Sequence, residues 1–165
     1  MAKVTLLDTP FNPEAAQLRF RSGRPDCGAV VSFLGQMRDL NDGESVQSMF
    51  LEHYPGMTEK ALAEIIATAE QRWPVAAIEV IHRVGTLQPE EPIVLVLVAG
   101  THRSECFRAC EFVIDYLKTA APFWKKEVTA AGEGRWVDER QSDHAASERW
   151  RDELTGGAPA ATPLR

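Results

Sequence analysis

A chain of 165 residues with 44% hydrophobic and 25% charged side chains has the size and composition of one soluble globular domain with a sizeable core. Its net charge of -6 argues against a general nucleic-acid binder, and it makes any local cluster of positive charge more informative. No apolar run approaches the roughly 18 residues of a membrane span, the start Met1-Ala2-Lys3-Val4 lacks the apolar core of a signal peptide, and three cysteines do not make a disulfide framework; a cytoplasmic protein is expected.

Lys3 to Leu7 reads as a first strand. Asn12-Pro13-Glu14 starts a helix running to about Phe20: Asn caps, Pro fits the first turn, and Glu suits the positive end of the dipole. Cys27 to Leu34 is an apolar strand whose small residues Gly28 and Ala29 allow close approach. Gln36 to Glu44 is a polar loop, long for a hairpin, with Arg38 at its root as either an anion contact or a surface charge. Ser45 to His53 alternates as a strand, and Tyr54-Pro55-Gly56 turns the chain. Met57 to Trp73 is a helix with Leu62, Ile65, Ile66, Ala69 and Trp73 on one stripe, Thr58 as its cap and Pro74 as its stop. Ile78, Val80, His82 and Val84 alternate with Glu79, Ile81 and Arg83 in a strand ending at Gly85, and Leu87 to Pro92 is a loop. Ile93 to Ala99 is continuously apolar, the pattern of a central strand buried on both faces.

The next stretch organises the rest. Gly100 leads into Thr101-His102-Arg103 at a helix start, and the helix runs to Lys118. Phe107, Cys110, Ile114 and Leu117 mark its apolar face. Pro122 breaks it, and Phe123 to Val128 is extended. A packed helix holds its ends still, so His102, Arg103, Lys118 and Lys125 are candidate fixed charges around one anion, helped by free N–H groups at the helix start. The alternative is solvated surface charge, the commoner fate of Lys and Arg. Glycine-rich nucleotide signatures are absent, which points to a small phosphate-bearing molecule and not a nucleoside triphosphate. Lys125 and Lys126 point to opposite faces of a strand, and alternation does not say which one faces a pocket.

Gly132-Glu133-Gly134 is a turn before Arg135-Trp136-Val137, and a short helix is expected from Ser142. Residues 1–150 form a single domain in this reading, and 151–165 a flexible tail. His102, Cys106 and Cys110 stand four apart, yet Cys106-x3-Cys110 is not a usual zinc spacing, so no metal centre is expected. A metal-dependent hydrolase using His102 and Cys106 is therefore only a minor reading. His53 and His82 read as structural histidines, and the four tryptophans as packing, with Phe123 and Trp124 able to wall a pocket beside Lys125.

Several motifs, in order, resemble one family. Leu51 to Leu62 (Leu-Glu-His-Tyr-Pro-Gly-Met-Thr-Glu-Lys-Ala-Leu), Ile81-His82-Arg83-Val84-Gly85, His102-Arg103, Asp115-Tyr116-Leu117-Lys118-Thr119 and Ala121-Pro122-Phe123-Trp124-Lys125 resemble the large, catalytic subunit of molybdopterin synthase. The likeness runs from about Gly28 to Trp150. It implies an α/β hammerhead fold with additional antiparallel strands and helices packed on the sheet. It also implies a homodimer within a heterotetramer, in which each chain binds a small ubiquitin-like sulfur carrier ending in a Gly-Gly thiocarboxylate. The implied reaction converts cyclic pyranopterin monophosphate (precursor Z) to the molybdopterin dithiolene, with no metal or cofactor of the protein's own. By matching motif, Lys118 and Lys125 are implied as catalytic. His102, Arg103 and Arg38 are implied as contacts for substrate phosphate and pterin, and Arg140 as a residue that reaches the neighbouring subunit's pocket. Gln36 and Ala120 stand where some relatives are expected to carry basic residues. The competing expectation is a non-catalytic anion-binding scaffold that docks a ubiquitin-like partner.

Overall fold

The continuous apolar run becomes the middle of a sheet. In the computed structural model, which describes residues 2–138 and 140–155, β7 (Pro92–Gly100) is buried on both faces from Val94 onward. It lies between β5 (Val75–Arg83) and β2 (Ala29–Gln36), and β1 (Ala2–Leu7) completes the order β1-β5-β7-β2. β1 runs parallel to β5, and the other pairs are antiparallel. At the start of this sheet's edge, a Cβ on Gly28 would stand 2.6 Å from the Thr101 carbonyl oxygen, the close approach expected there.

β5 departs from simple alternation, because both its faces are buried. α1 (Pro13–Arg21), capped by Asn12 as predicted, covers Ala77 and Ile81. α2 (Met57–Arg72) and α3 (Arg103–Ala120) cover Ile78 and Val80. Glu79 is tolerated inside because Arg19 and Lys3 reach it at 2.6 and 3.3 Å.

The amphipathic stripe of α3 is centred on Cys106, Val113 and Leu117. At about 100° per residue, this places Phe107 at the stripe's margin, where it is 60% exposed; its expected place in the packed face is corrected. Thr58 is not the cap of α2. The cap is Gly56, whose N–H donates to Glu59 at 2.7 Å. Thr58 is fully buried in the first turn, and its hydroxyl accepts from the Tyr54 N–H and donates to the Pro122 carbonyl. It therefore ties the start of α2 to the break that follows α3.

The second sheet is a half-barrel of β3 (Leu40–Asn41), β4 (Glu44–His53), β8 (Phe123–Thr129) and β9 (Gly134–Val137), with β6 (Gly85–Leu87) also paired to β4. The expected loop from Gln36 to Glu44 thus contains a strand. Asp42 and Gly43, both at positive φ, make the tight turn into β4. Met37, Val46, Met49, Leu51 and Leu87 fill the inside of the half-barrel. α4 (Gln141–Thr155) is longer than the short helix expected, since Trp150 anchors it edge-on to Trp73 and Phe112. Residues 151–155 of the expected tail are helical, and 156–165 lie outside the described residues. The architecture is an α/β hammerhead with additional antiparallel strands. Among the described residues no helix is long and apolar enough to cross a membrane.

Candidate active site

The break at Pro122 turns a helix end into a strand start, and that turn makes the site. Lys118 stands on the last turn of α3, and Lys125 is the third residue of β8. Register pairs Lys125 with Leu51 of β4 and Val137 of β9. Both lysines line one cleft of about 360 Å³, together with Arg38 and Arg140. Its inner wall is apolar, with Val94, Ile114 and Leu117 beside Phe123 and His82.

Lys125 is half-buried, and it does not stand alone. Burial pushes its ammonium below the ordinary lysine range; Glu127 opposes this, while Arg140 and Lys118 add to it. Glu127 lies 3.5 Å from the Lys125 ammonium, two residues on and on the same face of β8. Burial alone would raise the Glu127 carboxyl, but the Asn41 amide at 2.9 Å, Lys125 and Arg135 at 3.3 Å hold it below the ordinary carboxylate range. Asn41 is held in turn by Arg140, which donates to its Oδ1 at 2.8 Å. Three cations and an amide therefore meet one buried carboxylate network. Glu127→Gln should shift the titration of Lys125 to still lower pH, because the charge that favours the ammonium is gone. NMR of the lysine Nζ would show the shift, and an unmoved titration would refute the coupling.

His82 is buried, stacked on Phe123 with centroids 4.0 Å apart, and its Nδ1 donates to the Arg83 carbonyl at 2.6 Å. Burial, with a smaller effect of Lys118 and His53, lowers its pKa to about 4. The unfolded chain takes up a proton near 6.5 while the folded chain does not, so stability falls as pH drops from 6.5 to about 4. At roughly 1.4 kcal/mol per pH unit the interval is worth about 3 kcal/mol. Denaturant unfolding over this range should show a weaker pH slope in His82→Phe than in the wild type; equal slopes would contradict the assignment.

The sequence-predicted residues divide into two groups. Arg38, Lys118, Lys125 and Arg140 come together in the cleft. His102 and Arg103 do not: they are the N-cap and first residue of α3, whereas Lys118 is on its last turn. Fifteen residues at about 1.5 Å each separate Arg103 from Lys118 by roughly 22 Å along the axis. Lys126 points away from the cleft and sits over Trp136 at 5.7 Å. Trp124 and Trp136 are exposed, so only Trp73 and Trp150 of the four are packing residues, and Phe123, not Trp124, walls the cleft. Asn41, Glu127 and Arg135 were not foreseen. Glu127 could have been found from its period-two spacing to Lys125, whereas Asn41 and Arg135 arrive only through strand pairing.

Cys106 and Cys110 are buried thiols, the second pushed up to about 12 chiefly by burial and then by Cys106 and Glu111, which suits neither a nucleophile nor a metal ligand. Among the described residues no group of three or more His, Cys, Asp or Glu is placed to hold a metal ion.

Fold and cleft together define an α/β hammerhead protein with a cation-lined pocket at a helix-to-strand junction. The family model described as MoaE protein matches residues 6–120. The chain is 55% identical over 162 residues to the molybdopterin synthase catalytic subunit of Ralstonia nicotianae, covering 98% of this chain and 91% of that one. It is 62% identical over 125 residues to the protein of the same name from Pseudomonas aeruginosa, covering 76% and 83%. The solved structure of the molybdopterin biosynthesis MoaE protein from Burkholderia ambifaria superposes with a TM-score of 0.77 at 48% identity, over 92% of this chain and 99% of that one. The chain belongs to the MoaE protein family.

Proposed function

We propose that this chain is the catalytic subunit of a molybdopterin synthase, and that the cleft is where sulfur passes from the C-terminal thiocarboxylate of a small ubiquitin-like carrier to cyclic pyranopterin monophosphate, forming the molybdopterin dithiolene. One observation carries this reading: Lys118, Lys125, Arg38 and Arg140 converge from four separate segments on one partly apolar cavity. Both reactants are anions and repel one another unless positive charge is fixed between them. Preorganised cations in a partly dry site supply that without rearranging during the reaction. Lys118 and Lys125 are the catalytic pair in this reading, and Arg38 and Arg140 bind substrate. Arg140 also holds Asn41 in its own chain, which favours a role in the cleft it lines over one in the neighbouring subunit's.

His102 and Arg103 belong to the same site only if a second copy presents them. A straight helix cannot bring its two ends to one anion, so these cations serve the cleft of the partner in a homodimer. With one carrier on each chain, the assembly is a heterotetramer. The free cysteines Cys27, Cys106 and Cys110 fit a reducing cytoplasm as its location. The sulfur transfer itself calls for no metal or redox cofactor.

The test is reconstitution of the purified chain with thiocarboxylated carrier and cyclic pyranopterin monophosphate. Dithiolene product is expected. A stable complex that yields no product would make the chain a scaffold that docks the carrier without chemistry.

A further inference from the structure

His82 has no part in the sulfur transfer as described, yet its setting is that of a binding group. The residue is 4% exposed, and its ring lies nearly parallel to Phe123, with an interplanar angle of 13°. Nδ1 stands 2.6 Å from the carbonyl oxygen of Arg83 on its own strand. A carbonyl only accepts, so Nδ1 carries the hydrogen and Nε2 keeps its lone pair. With Nδ1 turned back onto the main chain, Nε2 lies on the ring edge away from it. It has no hydrogen-bond partner among the described residues. His82 and Phe123 both line the cleft.

The polar groups around it are of a different kind. Lys118, Lys125, Arg38 and Arg140 can only donate. Glu127 can accept, but Asn41, Arg135 and Lys125 already occupy its oxygens. Asp138, which is exposed, and Asp143, which is half-buried, also line the cleft, but both are charged. Gln36 and Ser142 carry uncharged acceptors elsewhere in the lining, but beside the apolar wall of Val94, Ile114, Leu117 and Phe123 the acceptor is His82 Nε2, held in a fixed direction by its Nδ1 contact.

We propose that Nε2 of His82 accepts a hydrogen bond from a ring N–H of the bound pyranopterin, making His82 a specificity-determining residue of the cleft. The inference rests on the substrate reading given above. The pyrimidine ring of a pyranopterin is flat and apolar on its faces, and N–H donors stand on its edge. Cations at the mouth hold its phosphate but leave those donors without a partner, and burying an unpaired donor is costly. A neutral imidazole supplies the acceptor, and burial keeps His82 neutral at physiological pH. No bond is made or broken by this residue, and no proton is transferred.

The test compares wild type, His82→Phe and His82→Gln under saturating carrier. Phe keeps a ring against Phe123 and removes the acceptor; Gln restores an acceptor. His82→Phe should raise KM for cyclic pyranopterin monophosphate about tenfold, the worth of one uncharged hydrogen bond, with kcat and carrier KM within about twofold. His82→Gln should recover most of the loss. An unchanged KM in a folded His82→Phe overturns the proposal. A second measurement needs no variant and no turnover: in wild-type protein labelled with ¹⁵N at histidine, the Nε2 resonance of His82 should move on titration with cyclic pyranopterin monophosphate alone. A resonance that stays put while the compound binds overturns the proposal even if the variants misfold. Failure of wild type to form dithiolene would sink the functional reading instead, and the titration would still decide the role of His82.

Discussion

Lys118→Ala is expected to abolish dithiolene formation while leaving the fold and carrier binding intact. The side chain is exposed at the end of α3, so its loss should change stability by no more than about 0.5 kcal/mol. Its chemical contribution is much larger. Removing one preorganised group that stabilises developing charge costs roughly a hundredfold to a thousandfold in rate, and removing a general acid or base costs a similar amount. A fall in turnover of at least about a hundredfold, with an unaltered melting temperature and carrier affinity, is the outcome to look for. Near-normal product yield would remove Lys118 from the reaction. Lys125→Ala should lose less, because Lys125 is already committed to Glu127, and its loss should fall mainly on the handling of substrate or tail.

The second large effect concerns the two ends of α3. Arg103→Ala should lower turnover about tenfold to a hundredfold, the worth of a charge-assisted contact to a phosphate. A homodimer of either Arg103→Ala or Lys118→Ala has no intact cleft. A mixed dimer of one variant chain with the other has one cleft with Lys118 from one protomer and Arg103 from its partner. It should recover about half the wild-type rate, since one cleft of two is whole. Mixed dimers no more active than the homodimers would show that Arg103 does not act across the junction. A fully active Arg103→Ala homodimer would remove it from the site.

Lysines 118 and 125 were legible because a proline break between a helix and a strand fixes where both side chains start. Alternation along β8 left Lys125 and Lys126 undecided. Pairing of β8 with β4 and β9 settles it, with Lys125 on the cleft side and Lys126 over Trp136. Charges at the two ends of one helix stand close together in the sequence, yet the length of α3 keeps His102 and Arg103 roughly 22 Å from Lys118 within one chain. Spacing of three and four finds a stripe but not its centre, and only the sheet beneath decides that Phe107 lies on the uncovered margin. β6 left almost no trace, being three residues that become a strand only because β4 runs alongside. Glu79 and Arg83 read as the polar side of a half-exposed strand, and α1 with its partners makes that side interior.

The Glu127 network has a consequence for biosynthesis of the chain. Both lysines are translated by residue 125, yet Arg135 and Arg140, which respectively neutralise the carboxylate and fasten Asn41, are translated later. A nascent polypeptide stalled just after β8 would expose a buried acid with only part of its counter-charge. The charge network around Lys125 is thus complete only once residue 140 has left the ribosome.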